Sequence, residues 1–237
     1  RIPLSLLVSA SLPPLSVPIS QGLIAMYSAD SWRPGDNLAG PSWLDLSGSG
    51  NHVTEIGGTT ISVARPVGAP AYIYGGTTAW MKFPSGILPS AQYTLFFVAR
   101  YNGAAKQRIF QGLNINWLSG FHNYKTGVAF HSEACGYITP VTSDGSDNWL
   151  LGSDRSNSFR SNGKERGSIG TCTVFARLAI NTGSESSEVS DFAIQSVLVY
   201  NVKLSDADVQ RVEAWLFAQQ PAFTPANLQV CPHHETK

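Results

Sequence analysis

Charge is what this chain of 237 residues has least of, with only 14% of its residues Asp, Glu, Lys or Arg. An average soluble domain carries roughly a quarter. The 16 basic and 16 acidic residues cancel to a formal net charge of zero. With no basic excess and no Lys/Arg cluster, nucleic acid is not an expected partner, because phosphate backbones are held by basic patches. Long apolar runs are missing as well. No stretch reaches the about 18 continuous apolar residues of a membrane helix, and Pro3, Pro13, Pro14 and Pro18 interrupt the most apolar region. No Asn-x-Ser/Thr acceptor occurs, so N-glycosylation is not expected.

Cysteine is nearly absent, at three residues. Cys135 and Cys172 each sit beside a strand-like segment, and a single bridge between them is the expected pairing. Cys231, in Gln229-Val230-Cys231-Pro232-His233-His234, is left over. In an oxidising compartment an odd cysteine points to an intermolecular bond, an outside partner or a free thiol. One cysteine beside two adjacent histidines does not by itself close a metal site.

What is abundant is turn chemistry. The 22 glycines and 14 prolines, with many Ser and Thr, call for short strands rather than long helices. All-β sandwiches of this length form one domain. Strands are expected at Gly22–Ser28, Ala79–Phe83, Tyr93–Arg100, Gln107–Gly112, Gly127–Ser132, Asn148–Ser153 and Thr173–Ile180, at the spacing of a sandwich. The stretches Ser153–Gly170 and Asn181–Ser190 are rich in Gly, Ser and Asn and are read as separators. Residues 2–29 carry no charge. They are either a remnant of a signal peptide or an extended arm, since proline favours extended backbone. The arm either crosses its own domain or docks on a neighbouring copy.

The segment Asp191–Gln219 closes the pattern. Phe192, Ile194, Leu198 and Tyr200 recur with period 2, alternating with Ala193, Gln195 and Val199, which predicts a buried strand. Ser205 then offers an N-cap and Asp206 and Asp208 suit a first helical turn. Val209, Val212, Trp215 and Leu216 give the following helix one apolar side.

Three pieces resemble one family. Gly22-Leu23-Ile24-Ala25-Met26-Tyr27 is similar to its opening strand, and Trp43-Leu44-Asp45-Leu46-Ser47-Gly48-Ser49-Gly50-Asn51-His52 to the turn that follows. Val197-Leu198-Val199-Tyr200-Asn201-Val202-Lys203-Leu204-Ser205-Asp206 resembles its closing strand, with Val202 where Arg is usual; Tyr93–Arg100 resembles a central strand. The chain thus resembles the concanavalin A-like, laminin-G-like domains over residues 21–220. The resemblance implies an all-β fold, a two-sheet antiparallel jelly-roll sandwich with one short C-terminal helix. It leaves residues 1–20 as an apolar N-terminal arm and 221–237 as a C-terminal tail.

The Asp45–His52 turn also has its own logic, since Gly48 and Gly50 tolerate positive φ and Asp45, Ser47 and Asn51 bond local backbone. Asp30, Asp45 and Asn51, with Asp36, are the candidate oxygen ligands if calcium is bound; no other cofactor is expected. Glycosidases of this superfamily use an E-x-D-x-x-E strand whose carboxylates stand about 5–9 Å apart. The nearest acidic run, Glu185-Ser186-Ser187-Glu188-Val189-Ser190-Asp191, has the wrong order. Asp144, Asp147 and Asp154 are read as isolated acids in turns, and no nucleophile elbow is found, so an enzyme is not expected.

Sugar sites need flat apolar faces beside a few oriented polar groups. Trp117, Phe121, His122, Tyr124 and Trp149 are the candidate carbohydrate-binding residues. The leading expectation is a non-catalytic, extracellular or surface-exposed lectin-like module that serves as a structural or adhesive subunit. Its partners would be other copies of itself, other assembly proteins or glycans. The alternatives are a free carbohydrate-binding module and a glycosidase-type enzyme.

Overall fold

Alternation along the longest strands sorts their side chains onto two faces, and in this protein both faces are apolar. The computed structural model describes residues 16–36, 39–140 and 148–219. Cys231, the tail after residue 220, residues 1–15 of the expected arm, Asp144 and Asp147 lie outside the described residues. The first strands are β1 (Leu23–Ser28), β2 (Trp32–Arg33), β3 (Ser42–Trp43), β4 (Glu55–Gly57) and β5 (Ser62–Ala64). Then come β6 (Tyr72–Gly75), β7 (Trp80–Lys82), β8 (Thr94–Tyr101), β9 (Phe110–Gly112), β10 (Trp117–His122) and β11 (Lys125–His131). A single helical turn, α1 (Ser132–Cys135), precedes β12 (Leu150–Arg155), β13 (Ser158–Ser161) and β14 (Lys164–Ser168). The chain continues through β15 (Leu178–Ile180) and β16 (Phe192–Tyr200) to the helix α2 (Asp206–Ala218).

Fourteen of these strands make two antiparallel sheets, a jelly-roll sandwich, while β2 and β3 pair with each other apart from them. The larger runs β14-β13-β12-β8-β16-β6-β5, with β1 also paired to β16; the smaller runs β11-β10-β9-β15-β7-β4. Thus β13 and β14, in a stretch read as a separator, are strands. Apart from Phe159, which enters the inner core, and Gly167, their side chains are polar, and polarity alone does not forbid a place in a sheet. Between the sheets lie Leu95, Phe97 and Ala99 of β8, Phe110 of β9, Trp117 and Phe121 of β10, and Leu178 and Ile180 of β15. Phe97 stacks on Phe110 with centroids 4.4 Å apart. Gly152 of β12 makes room for the Phe97 ring, since any Cβ there would run into it.

The outer face of the larger sheet has a second apolar cluster. Phe96, Val98, Leu151, Leu198 and Tyr200 lie under Val209, Val212 and Leu216 of α2. As expected, Ser205 caps that helix, its side chain accepting from Asp208 N. Glu213 is 2% exposed yet sits on the buried side of α2. There its carboxylate accepts from Arg160 Nε (2.9 Å) and Ser153 Oγ (2.8 Å), which fixes the helix to β12 and β13. Val17 and Ile19 pack on the same cluster, and Ile19 O accepts from Tyr200 Oη at 2.9 Å. The start of the described chain therefore crosses its own domain.

The phase of β16 differs from the expected period. Its register against β8 shifts between Ile194 and Ser196, so one extra residue enters the strand and the facing inverts. Phe192 and Ile194 face the inner core, but beyond the shift Val197 and Val199 do so. Leu198 and Tyr200 turn outward beneath α2.

The first strand is tied down by the expected turn. Gly48 and Gly50 adopt φ of 89° and 77°. This lets the chain wrap around Asp45, which accepts from Met26 N (2.9 Å), Ser47 N (2.8 Å), Ser47 Oγ (2.9 Å) and Asn51 N (3.0 Å). Asn51 returns the favour, donating its amide to Ile24 O at 2.7 Å, while its own carbonyl accepts from Tyr27 Oη. Burial disfavours the Asp45 carboxylate, yet these hydrogen bonds outweigh it and hold its pKa below the ordinary 3.8. A group whose folded pKa is depressed contributes stability above its unfolded pKa and loses it as pH falls through the folded one. Asp45→Asn is expected to cost roughly 2–3 kcal/mol at neutral pH. It should also flatten the fall in stability below about pH 4. Urea denaturation of both proteins between neutral pH and acid checks it, and an unchanged acid limb would refute the assignment.

Candidate functional site

Structure separates the five aromatic and imidazole residues that sequence grouped together. Trp117 and Phe121 are both 0% exposed. They stand on the inner face of β10, so they are core residues and offer no surface to a ligand. The neighbouring Asn and Gly residues suggested a loop, but Trp117–His122 is a strand whose turn comes later, at Asn123 and Tyr124 (φ 46° and 63°). Tyr124 projects from that hairpin and is 54% exposed. His122 is half-buried with Nε2 3.4 Å from Glu188 Oε2. Burial lowers its pKa below the ordinary 6.5 despite the Glu188 charge, and this favours the neutral ring. Trp149 lies apart from these four, on the outer face of the larger sheet.

The expected calcium ligands do not converge. Both Asp45 oxygens are engaged by N–H and O–H donors, and the Asn51 amide faces a carbonyl. Asp30 pairs with Arg65. A cation needs several oxygen lone pairs aimed at one point. Among the described residues no group of three or more His, Cys, Asp or Glu is arranged to hold a metal. Cys135 and Cys172 form the disulfide, closing a sequence separation of 37. Among the described residues no helix is long and apolar enough to cross a membrane.

Asp154 is not in a turn. It is on β12, 0% exposed, and collects Tyr93 Oη (2.9 Å), Ser119 Oγ (2.6 Å) and His131 Nε2 (3.1 Å). A serine, a histidine and an aspartate thus meet, but in an order that does not activate the serine. Ser119 bonds the carboxylate rather than the imidazole. The other ring nitrogen of His131 faces Ser156 O at 3.0 Å, so both nitrogens face acceptors and neither is placed to take the serine's proton. Trp117 stacks on His131 at 5.5 Å and all four polar residues are enclosed. This cluster joins the sheets, since Asp154 belongs to the larger and Ser119 and His131 to the smaller.

The surface with the chemistry of a binding site is built by register on the outer face of the larger sheet, beyond α2. Along β8 the outward positions are Phe96, Val98 and then Arg100; the helix covers the first two. Ala193 of β16 pairs with Arg100 on one side and with Tyr74 of β6 on the other. Leu150 pairs with Ala99, which brings Trp149 alongside. Ala193 is too short to fill the face, and the long Arg100 side chain lies against two of the rings. Its guanidinium carbon is 5.0 Å from the Trp149 centroid and 5.4 Å from that of Tyr72. Tyr72 meets Trp149 edge-on at 5.4 Å and Tyr74 at 6.0 Å. Tyr74 is 37% exposed, and no hydrogen bond engages the hydroxyl of Tyr72 or Tyr74 among the described residues. Three aromatic rings and one cation therefore form a partly open platform. Sequence reading found Trp149 but missed Tyr72, Tyr74 and Arg100. The alternation Tyr72-Ile73-Tyr74 was the available signal, and only strand pairing brings residues this distant in sequence together.

No protein-family model matches this chain, and no curated protein matches it. Solved structures do match in fold. Domain 4 of the extracellular arabinanase AbnA from Geobacillus stearothermophilus, solved with arabinotriose, aligns with a TM-score of 0.57 at 17% identity. The alignment covers 81% of this chain and 98% of that domain. The binding domain of Paraclostridial Mosquitocidal Protein 1 aligns at 0.58 with 12% identity, over 83% of this chain and 52% of that one. The receptor binding domain of a botulinum neurotoxin C/D mosaic serotype aligns at 0.54 with 14% identity, over 84% and 52%. This chain thus spans about half of each toxin domain. At such identities the likeness is one of fold alone, the β-sandwich.

Removing the central acceptor of the buried cluster should be severe. Asp154→Ala leaves Tyr93, Ser119 and His131 without their acceptor and is expected to cost about 3–5 kcal/mol. Equilibrium urea denaturation measures it, and a loss under about 1 kcal/mol would show that the cluster does not hold the sheets together.

Proposed function

We propose that this protein is a non-catalytic glycan-binding module and that the Trp149–Arg100–Tyr72–Tyr74 platform is its binding surface. One observation carries the reading: three aromatic rings and a guanidinium share the partly open outer face of a rigid sheet. Sugar rings dock their C–H faces on such aromatic surfaces while neighbouring polar groups orient the hydroxyls. The likeness in fold to a domain that holds arabinotriose supports it by analogy. In this reading residues 21–220 are the module, of the concanavalin A-like, laminin-G-like kind. The disulfide suits an extracellular or surface location. The arm of residues 1–20, uncharged after Arg1, suits a structural or adhesive subunit that joins other copies of itself.

Each part has its own measurement. On a broad glycan array the intact chain should bind at least one oligosaccharide class. Tyr72→Ala and Trp149→Ala should each weaken that binding by about 10- to 100-fold, the loss of roughly 1–3 kcal/mol per stacked ring. Far-UV circular dichroism should show the fold retained. Absence of any binding by the intact chain would count decisively against the reading. For self-association, the informative truncation removes residues 1–15 and keeps Val17 and Ile19, which pack on the domain. Analytical ultracentrifugation should find the full chain associated and the truncated chain monomeric. An unchanged distribution would remove the arm from the account.

A further inference from the structure

Arg100 stands out among the withdrawn arginines. Arg108 meets Glu188, Arg155 meets Asp206 and Arg160 meets Glu213, so each of those charges has a carboxylate beside it. Arg100 is half-buried and has no ion pair among the described residues. Of its five N–H donors, one reaches Tyr101 O, and only at 3.4 Å. The flanking Trp149 and Tyr72 rings hold the guanidinium in place but supply no negative charge and no hydrogen-bond acceptor in its plane. A partly desolvated cation with most of its donors unused is complementary to an anion. A planar guanidinium fits a carboxylate through two parallel N–H···O bonds.

We infer that the platform recognises a carboxylate-bearing sugar, with the acid group on Arg100 and the sugar ring on Trp149 and Tyr72. The inference rests on the glycan-binding reading above and narrows it to acidic saccharides. Geometry favours a carboxylate attached directly to the sugar ring, as in a uronic acid, because guanidinium and rings are within 5.0 to 5.4 Å of each other. An acid group on a long flexible spacer would gain nothing from that closeness. In the row through Ala193, itself fully covered, Tyr74 stands on the β6 side of Arg100 and is 37% exposed.

The test uses the full chain and a panel of carboxylate-bearing oligosaccharides, galacturonate, glucuronate and sialyl-lactose, each beside its own methyl ester. Sulfated oligosaccharides form a separate arm. Isothermal titration calorimetry should give at least one acid bound about tenfold or more tightly than its ester, the scale of a charge-assisted hydrogen bond. That preference should shrink with added salt as the charges are screened. Arg100→Gln should erase the preference for acid over ester, and Arg100→Lys should restore only part of it. Equal affinity of the wild type for acids and esters would overturn the acidic-sugar inference and leave the glycan-binding reading standing. Binding of sulfated sugars with no binding of carboxylates would overturn it in favour of sulfate. Binding of none of the panel, with no glycan bound on the array either, would overturn both.

Discussion

Everything on the outer face of the larger sheet depends on how β16 satisfies its backbone. Along one edge it pairs with β8 through its whole length; along the other, β6 takes Phe192–Ile194 and β1 takes Ser196–Tyr200. The irregularity at Gln195 lies where one partner gives way to the next, so a single strand serves three neighbours. The shift also inverts the facing of the strand. It turns Leu198 and Tyr200 outward, where α2 can cover them, and leaves Ala193 as the short residue over which Arg100 lies. Helix docking and platform are therefore consequences of the same extra residue. It carries a local cost: among the described residues Gln195 Oε1 and Ser196 Oγ are buried without partners, and such atoms are each worth about 1–3 kcal/mol of lost hydration.

Polar groups inside this protein act as fasteners rather than as reagents. Asp45 binds a turn to the first strand, Asp154 joins the two sheets, and Glu213 holds the helix to β12 and β13. In each case several donors surround one carboxylate, the arrangement that makes a buried charge tolerable. With so few charged residues in the chain, those spent internally are conspicuous. Arg100 is the contrast, a half-buried charge whose partners are aromatic rings.

Sequence reading did well where information is local. The Asp45–His52 turn, the Ser205 cap and the inward run Leu95, Phe97 and Ala99 follow from φ preferences, capping chemistry and period 2. It did less well with β13 and the edge strand β14, which hold one large apolar side chain, Phe159, and so carry no apolar alternation. It placed Trp117 and His122 in exposed loops because Gly120 and the Asn residues nearby signalled a turn, and the turn comes after the strand, at Asn123 and Tyr124. In Asp154 it read an isolated acid, although the residue's partners lie 61, 35 and 23 positions away.

By itself, then, the sequence determined that this chain would form short antiparallel strands, two apolar layers, one capped helix and a pinned first turn. Each of those rests on neighbours within a few residues. Only the tertiary structure decided which aromatics are core and which are surface, and it placed Trp149, Arg100, Tyr72 and Tyr74 together. The reason is physical: a strand presents its residues to both faces alike. Which face meets solvent is settled by what packs above it, here a helix that covers Phe96 and Val98 and stops short of Arg100.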